Sequence, residues 1–192
     1  IIDGHALCYR AYYAFIRNPL VNSDGQNTSA IFGFARMLLR LIADQKPDYL
    51  VVAFDPPKKS FRFAMYPEYK ANRPEPPEEL LVQLVRSSEI ARAFTPHVWQ
   101  LKGVEADDLL ATAVRQCRKL GYQALIVGAD KDLMQLVGED VRLWDMTRDR
   151  VFGPSEVAEK FGVRVDQLGD FLALTGDSSD NVPGVPRIGP KT

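Results

Sequence analysis

The stretch YLVVAFD, residues 49–55, decides the fold class. Its apolar run is short, rich in strand-forming residues and uninterrupted by polar alternation, so it suits a strand buried on both faces, and it closes on Asp55. Working outward, II at the start closes on Asp3, ALIVGA (124–129) on Asp130 and VRLW (141–144) on Asp145. HVWQL (97–101) is a further strand candidate. Longer segments with helical periodicity lie between these runs, at about 29–43, 78–94, 105–119, 154–161 and 165–174. In the first of them Thr28 and Ser29 offer an N-cap, and Ile31, Phe34, Ala35, Leu38, Leu41 and Ile42 make the apolar stripe. The alternation predicts an α/β fold, a parallel sheet with helices on both faces.

Composition narrows the function classes. At 192 residues, 46% hydrophobic and 26% charged, the chain suits one large domain or a domain with a small appendage. Cys8 and Cys117 are the only cysteines and lack a CxxC partner, which argues against a disulfide framework or structural zinc. With only His5 and His97, histidine-based acid/base chemistry is disfavoured. No apolar run approaches the roughly 18 residues of a membrane span and no signal peptide opens the chain, so no membrane partner and a cytoplasmic (nucleoid) or organellar setting are expected. A net charge of -1 argues against a purely charge-driven nucleic-acid binder, leaving the placement of charge to decide. IIDGHA begins inside a strand and GVPRIGPKT ends in a glycine-rich turn, so a fragment of something longer is expected.

The carboxylates supply the sharper signal. In an open α/β sheet ligands bind beyond the carboxyl ends of the strands, where Asp3, Asp55, Asp130 and Asp145 fall. GVEADDLLA (103–111) adds Glu105, Asp107 and Asp108 at the start of a helix, GADKD adds Asp132, and TGDSSDN adds Asp177 and Asp180. Any one of them has an ordinary explanation, since acids favour a first helical turn and aspartate after a strand caps or turns. So many together cannot stay ionised unless cations neutralise them or protons remain bound. Hard divalent ions, Mg²⁺ or Mn²⁺, fit an all-oxygen set without Cys or His. Two such ions about 3.5–4 Å apart are a standard device for phosphodiester hydrolysis.

Residues 56–77, PPKKSFRFAMYPEYKANRPEPP, carry six prolines and interleave Lys58, Lys59, Arg62, Lys70 and Arg73 with Phe61, Phe63, Tyr66 and Tyr69. Long irregular segments in compact domains are usually functional or disordered. Cations that track phosphates beside rings that stack bases suit a single-stranded nucleic acid. The competing reading is a solvated loop with buried aromatic anchors.

Six motifs, DGHALCYRAYYA, VVAFDPPKKSFR, YPEYKANR, GVEADDLLA, VGADKDLMQL and ALTGDSSDNVPGVPRIGPKT, resemble in order the 5′-nuclease domain of bacterial DNA polymerase I, within the flap endonuclease family. The resemblance implies a PIN-like core over 1–163 with a helical arch within 56–80, and an incomplete helix-hairpin-helix DNA-binding region over 164–192. It implies a site for two or more Mg²⁺ or Mn²⁺ ions built from Asp3, Asp55, Glu105, Asp107, Asp108, Asp130, Asp132, Asp177 and Asp180. Lys70 and Arg73 match the family's YKxxR at the base of the arch and, with Asp108 and Asp130, are the candidate catalytic residues. Arg10, Tyr69, Lys58, Lys59, Arg62 and Lys191 are candidate substrate contacts, Tyr69 as a stacking platform. Asp145 matches no family ligand and is read as a strand-end turn. The implied activity is 5′-3′ exonuclease and 5′ flap cleavage in primer removal and repair, by a monomer acting on DNA with a 5′ end or flap, with a C-terminal polymerase domain outside this chain.

Arg187 stands where the family's GxGxKT hairpin has its first glycine, and the second helix of that module is missing, so weakened DNA binding is expected. The alternatives are a non-catalytic branched-DNA-binding module of the same fold, whose signature would be lost ligands, and an aspartyl-phosphate enzyme, which wants a DxD where this chain has IIDGH. The absence of GxxxxGKS/T disfavours NTP-driven chemistry.

Overall fold

The structure, a computed structural model, describes residues 1–189. In chain order the elements are β1 (Ile2–Asp3), α1 (Gly4–Ala14), α2 (Ser29–Gln45), β2 (Val52–Ala53), α3 (Arg62–Met65), α4 (Glu78–Phe94), β3 (Val98–Trp99), α5 (Ala106–Lys119), β4 (Ala124–Val127), a 3-10 turn (Asp132–Leu136), β5 (Val141–Asp145), β6 (Arg150–Phe152), α6 (Pro154–Phe161), a second 3-10 turn (Val165–Gln167) and α7 (Leu168–Thr175). The sheet runs β3-β2-β1-β4-β5-β6, parallel except for β6, which pairs antiparallel with β5. The chain winds outward from β1 in both directions, so the crevice at the carboxyl ends of β1 and β4 is the topological switch point where ligands bind in doubly wound sheets.

Period-2 side-chain alternation divides the core. Val52 and Val127 face one apolar cluster with Ile2, Leu7, Phe34, Leu38, Phe54 and Leu80, under α1, α2 and α4. Ala53 and Ile126 face another with Leu110, Val114, Leu143, Phe152, Val157 and Leu168, under α5, α6 and α7. Truncating a fully buried leucine such as Leu38 or Leu110 to alanine costs about 2–5 kcal/mol. Gly33 permits the close crossing of α1 and α2, because a Cβ there would lie 2.6 Å from that of Ala11. Among the described residues no helix is long and apolar enough to cross a membrane.

All the expected strands and long helices form, with differences in detail. α1, the short α3 and β6 are additional, and the helix expected over 165–174 begins with a 3-10 turn before α7. The Thr28 side chain does not cap α2; its hydroxyl donates to Leu20 O. The Gln83 carboxamide from α4 accepts from Ala30 N–H at 2.8 Å and from Ile31 N–H at 3.3 Å instead. Residues 56–77 hold one short helix, α3, and are tied to the core by Phe61 N–H to Gly103 O and Lys70 N–H to Asp180 O.

Candidate active site

Because β1, β2 and β4 are neighbours and parallel, Asp3, Asp55 and Asp130 leave the sheet at the same edge. Each uses Oδ1 to start a helical turn: Asp3 accepts from Ala6 N–H (2.9 Å), Asp55 from Ala106 N–H (2.8 Å) and Asp130 from Asp132 N–H (2.9 Å). Asp55 N–H donates in turn to His5 Nδ1 at 3.1 Å, which leaves the imidazole proton on Nε2. Burial lowers the His5 pKa and keeps the ring neutral.

The first turn of α5 adds Asp107. Burial, followed by repulsion from Asp3, Asp130 and Asp55, pushes its carboxyl up to about 8. Burial, reinforced by Asp55 and Asp130, pushes Asp3 up to about 7 despite the Ala6 hydrogen bond. Four carboxylates thus share a corner that favours protons or cations.

A second group lies beside it, where oxygens of Asp132, Asp177 and Asp180 come within 4.8 Å of one another. Burial, with repulsion from Asp130 and Asp177, pushes Asp132 up to about 6. The loop bearing Asp177 and Asp180 is closed by two glycines in backbone contact; a Cβ on Gly176 would meet Gly184 N at 2.3 Å. Gly176 also holds φ +75, so glycine is required there on both counts. Asp177 is paired with Lys131 at 2.9 Å, and Asp180 with Arg73.

Glu105 and Asp108 are taken up by cations. Glu105 Oε2 accepts from Lys70 Nζ at 2.9 Å, and Oε1 accepts from Ser60. Burial raises the Glu105 pKa, but these bonds outweigh it and hold the carboxyl below its ordinary range. Arg62 grips Asp108 with two bonds of 2.7 and 2.8 Å, which lower that carboxyl as well. Glu105 N–H donates to Asp108 Oδ2, closing a capping box on α5. The Tyr69 hydroxyl lies 3.0 Å from Glu105 and 2.8 Å from Asp180, linking the two groups. Lys70 itself holds a left-handed backbone, φ +56, a cost of about 1 kcal/mol concentrated at the site.

Glu105, Asp107, Asp108, Asp132, Asp177 and Asp180 line a cleft of about 770 Å³ together with Arg62, Tyr69, Met65, Tyr66, Leu136, Leu172, Val182 and Pro183. All nine candidate metal-ligating acids fall in or beside the crevice: seven in the two groups, of which Asp177 and Asp180 are also ion-paired, and two, Glu105 and Asp108, held by Lys70 and Arg62. Tyr69 is buried against Phe63 and offers its hydroxyl rather than an open ring face. Arg10 bonds Asp145 Oδ1 at 2.8 Å, while Asp145 also accepts from Thr147 and Arg148 N–H as a strand-end turn. Lys58 and Lys59 are exposed, the latter's ammonium 4.9 Å from the centre of the Phe63 ring. Lys191 lies outside the described residues, as does the end of the hairpin motif. Arg187 is exposed with φ +69, a left-handed backbone that favours glycine. Sequence reasoning passed over His5, Ser60 and Lys131; only Lys131, set between two acids in GADKD, carried a visible sign.

A family model described as the 5′-3′ exonuclease, N-terminal resolvase-like domain matches residues 1–162. The chain is 43% identical over 192 residues to a 5′-3′ exonuclease of Aquifex aeolicus, covering all of this chain and 66% of that protein. It is 45% identical over 193 residues to DNA polymerase I of Deinococcus radiodurans, covering all of this chain and 20% of that protein. It therefore spans about two thirds of the first relative and a fifth of the second. Among solved structures, phage T5 5′-exonuclease with bound zinc shares the fold, with a TM-score of 0.84, 24% identity, and 99% of this chain and 70% of that one covered. A T5 flap endonuclease complex with DNA and metal ions gives a TM-score of 0.81 at 25% identity, with the same coverage. With the model matching most of its length and the crevice built from the acids of five of its six motifs and the cations of the other, the chain belongs to the family of 5′-3′ exonuclease N-terminal resolvase-like domains.

Proposed function

We propose that this chain is a divalent-metal-dependent 5′ nuclease that hydrolyses phosphodiester bonds in DNA bearing a 5′ end or 5′ flap, as part of a longer protein such as a DNA polymerase I. The observation that carries the reading is the gathering of seven carboxylates in two adjacent groups at the switch point of the sheet, edged by Lys70, Arg62 and Arg73. The donor set fits hard divalent ions: it is all oxygen, burial and mutual repulsion raise the Asp3 and Asp107 carboxyls so that a cation there would be favoured, and three oxygens of the second group already converge. Asp3, Asp55, Asp107 and Asp130 would hold one ion and Asp132, Asp177 and Asp180 another, Mg²⁺ or Mn²⁺. Bound there, such ions supply an activated water and stabilise charge on the phosphoryl group.

The chain's own side chains do the rest. Lys70 and Arg73 orient the scissile phosphate and stabilise its growing charge. Glu105 and Asp180 hold these two cations in place until substrate arrives. Met65 and Tyr66 give the cleft an apolar wall where an unpaired base can lie out of water. We assign the nuclease core to 1–163 and duplex binding to 164–192, a division of role rather than of packing, since Leu168 is buried in the core cluster. The T5 flap endonuclease complex with DNA and metal ions supports the substrate class.

The test is cleavage of a 5′-labelled flap with and without Mg²⁺, for the parent and Asp130→Asn. Cleavage that needs the metal and falls by orders of magnitude in the variant is expected. Binding without any product would leave the branched-DNA-binding module instead.

A further inference from the structure

Lys131 sits between Asp130 and Asp132, at the entry to the 3-10 turn. Its ammonium lies 2.9 Å from Asp177 Oδ1, with the two side chains only 32% and 13% exposed. Asp177 is one of three acids whose oxygens come within 4.8 Å, so the lysine occupies a ligand position of the cluster most suited to a cation. Its backbone cannot withdraw: Asp132 N–H is bonded to Asp130 Oδ1 and Met134 N–H to Lys131 O, so only the side chain is free to swing.

The other cations on the cluster differ in kind. Arg73 comes from the proline-rich segment, is half exposed, and divides its donors between Asp180 and Ser179 O, and Lys70 of the same segment lies 3.9 Å from Asp180 while bonded to Glu105. Both can leave with that segment when substrate enters. Lys131 belongs to the ligand-bearing strand end and stays within reach of Asp177 whatever the segment does. Two positive charges a few ångströms apart in a half-buried site repel strongly, so an ammonium on Asp177 and a divalent ion among the same three acids exclude each other.

Resting on the metal reading above, we infer that Lys131 is a built-in competitor for the second divalent ion: its ammonium must leave Asp177 before the Asp132, Asp177 and Asp180 cluster can be filled. The lysine keeps the cluster neutralised while empty and weakens its affinity for metal, so the two ion sites load at different concentrations.

The test is Mn²⁺ binding to the DNA-free protein, followed by the electron paramagnetic resonance of free Mn²⁺, for the parent, Lys131→Met, Lys131→Gln and Lys131→Arg. Breaking a charge-assisted hydrogen bond is the energy at issue, so Lys131→Met and Lys131→Gln should tighten the weaker site by about five- to fiftyfold and leave the tighter site within about twofold. Lys131→Arg keeps the charge and should bind like the parent. Unchanged or weaker binding at the second site in both neutral variants overturns the inference and makes Lys131 a strut for the Asp177 loop. Absence of Mn²⁺ binding in every form overturns the metal reading and the inference with it.

Discussion

Replacing Asp107 with asparagine should make the metal-free protein more stable, and increasingly so as pH rises. The folded carboxyl has a pKa of about 8 against an ordinary 3.8, so between those values the unfolded chain releases a proton that the folded one keeps. Stability from this group is fully present below 3.8 and is lost as pH climbs toward 8. For an isolated group the loss at pH 8 would be about 5 kcal/mol, at 1.36 kcal/mol for each pH unit. Repulsion from Asp3, Asp130 and Asp55 supplies part of the shift, and Asp3, itself raised to about 7, titrates with Asp107, so about 2–3 kcal/mol is expected for this residue alone. In a domain of this size that is a rise in Tm of about 5–10 °C at pH 8, shrinking to a degree or two at pH 5. The assay is thermal unfolding in chelator at pH 5, 6, 7 and 8 for the parent and Asp107→Asn. His5, whose lowered pKa gives the opposite slope, is common to both proteins and cancels in the difference. Saturating Mn²⁺ should reverse the order, because the parent then has a ligand the variant lacks. A difference in Tm that does not change between pH 5 and pH 8 would refute the account of a corner strained by its own charge.

Lys70→Ala and Arg73→Ala should each slow single-turnover cleavage by about ten- to a thousandfold, with affinity measured in Ca²⁺ falling far less, since one phosphate contact changes the salt slope by only about one unit. Asp177→Asn should lose activity that high Mg²⁺ or Mn²⁺ partly restores, and a loss indifferent to metal concentration would count against its role as a ligand. Gly184→Ala places a Cβ 2.5 Å from Thr175 C and should open the 177–184 loop, abolishing the weaker Mn²⁺ site while the melting temperature changes by only a few degrees. Arg187→Gly should raise stability by up to about 1 kcal/mol, seen in denaturant titration, because a side chain is strained at φ +69.

The strands were legible because buried parallel strands read as unbroken apolar runs, and the aspartates that end them announced the crevice. α1 was harder, although its buried residues Gly4, Leu7, Cys8, Ala11 and Tyr12 keep helical spacing. Glycine, cysteine and alanine contribute too little apolar character for that spacing to stand out. β6 is a three-residue edge strand with Arg150 and Val151 exposed, so nothing in RVF shows the period-2 alternation of a half-buried strand. At the site, the identities of the acids were readable but their grouping was not. Arg62 meets Asp108 across 46 residues, and Lys131 meets Asp177 across a similar gap, through the register of the sheet and the turn at Gly176. Tyr69 misled for a related reason: an aromatic ring in a basic segment suggests stacking, whereas its hydroxyl, bridging two carboxylates, draws it inward.

Asp3, Asp55 and Asp130 each turn Oδ1 to a peptide N–H. Each bond ties one carboxylate oxygen to a peptide N–H whose place is set by the sheet and by α1, α5 and the turn after β4, which fixes the side chain at the crevice. Turn initiation and electrostatic strain thereby become one property: a change that released any of these N–H groups would let its acid swing away and relax the repulsion that helps to raise the Asp3 and Asp107 carboxyls.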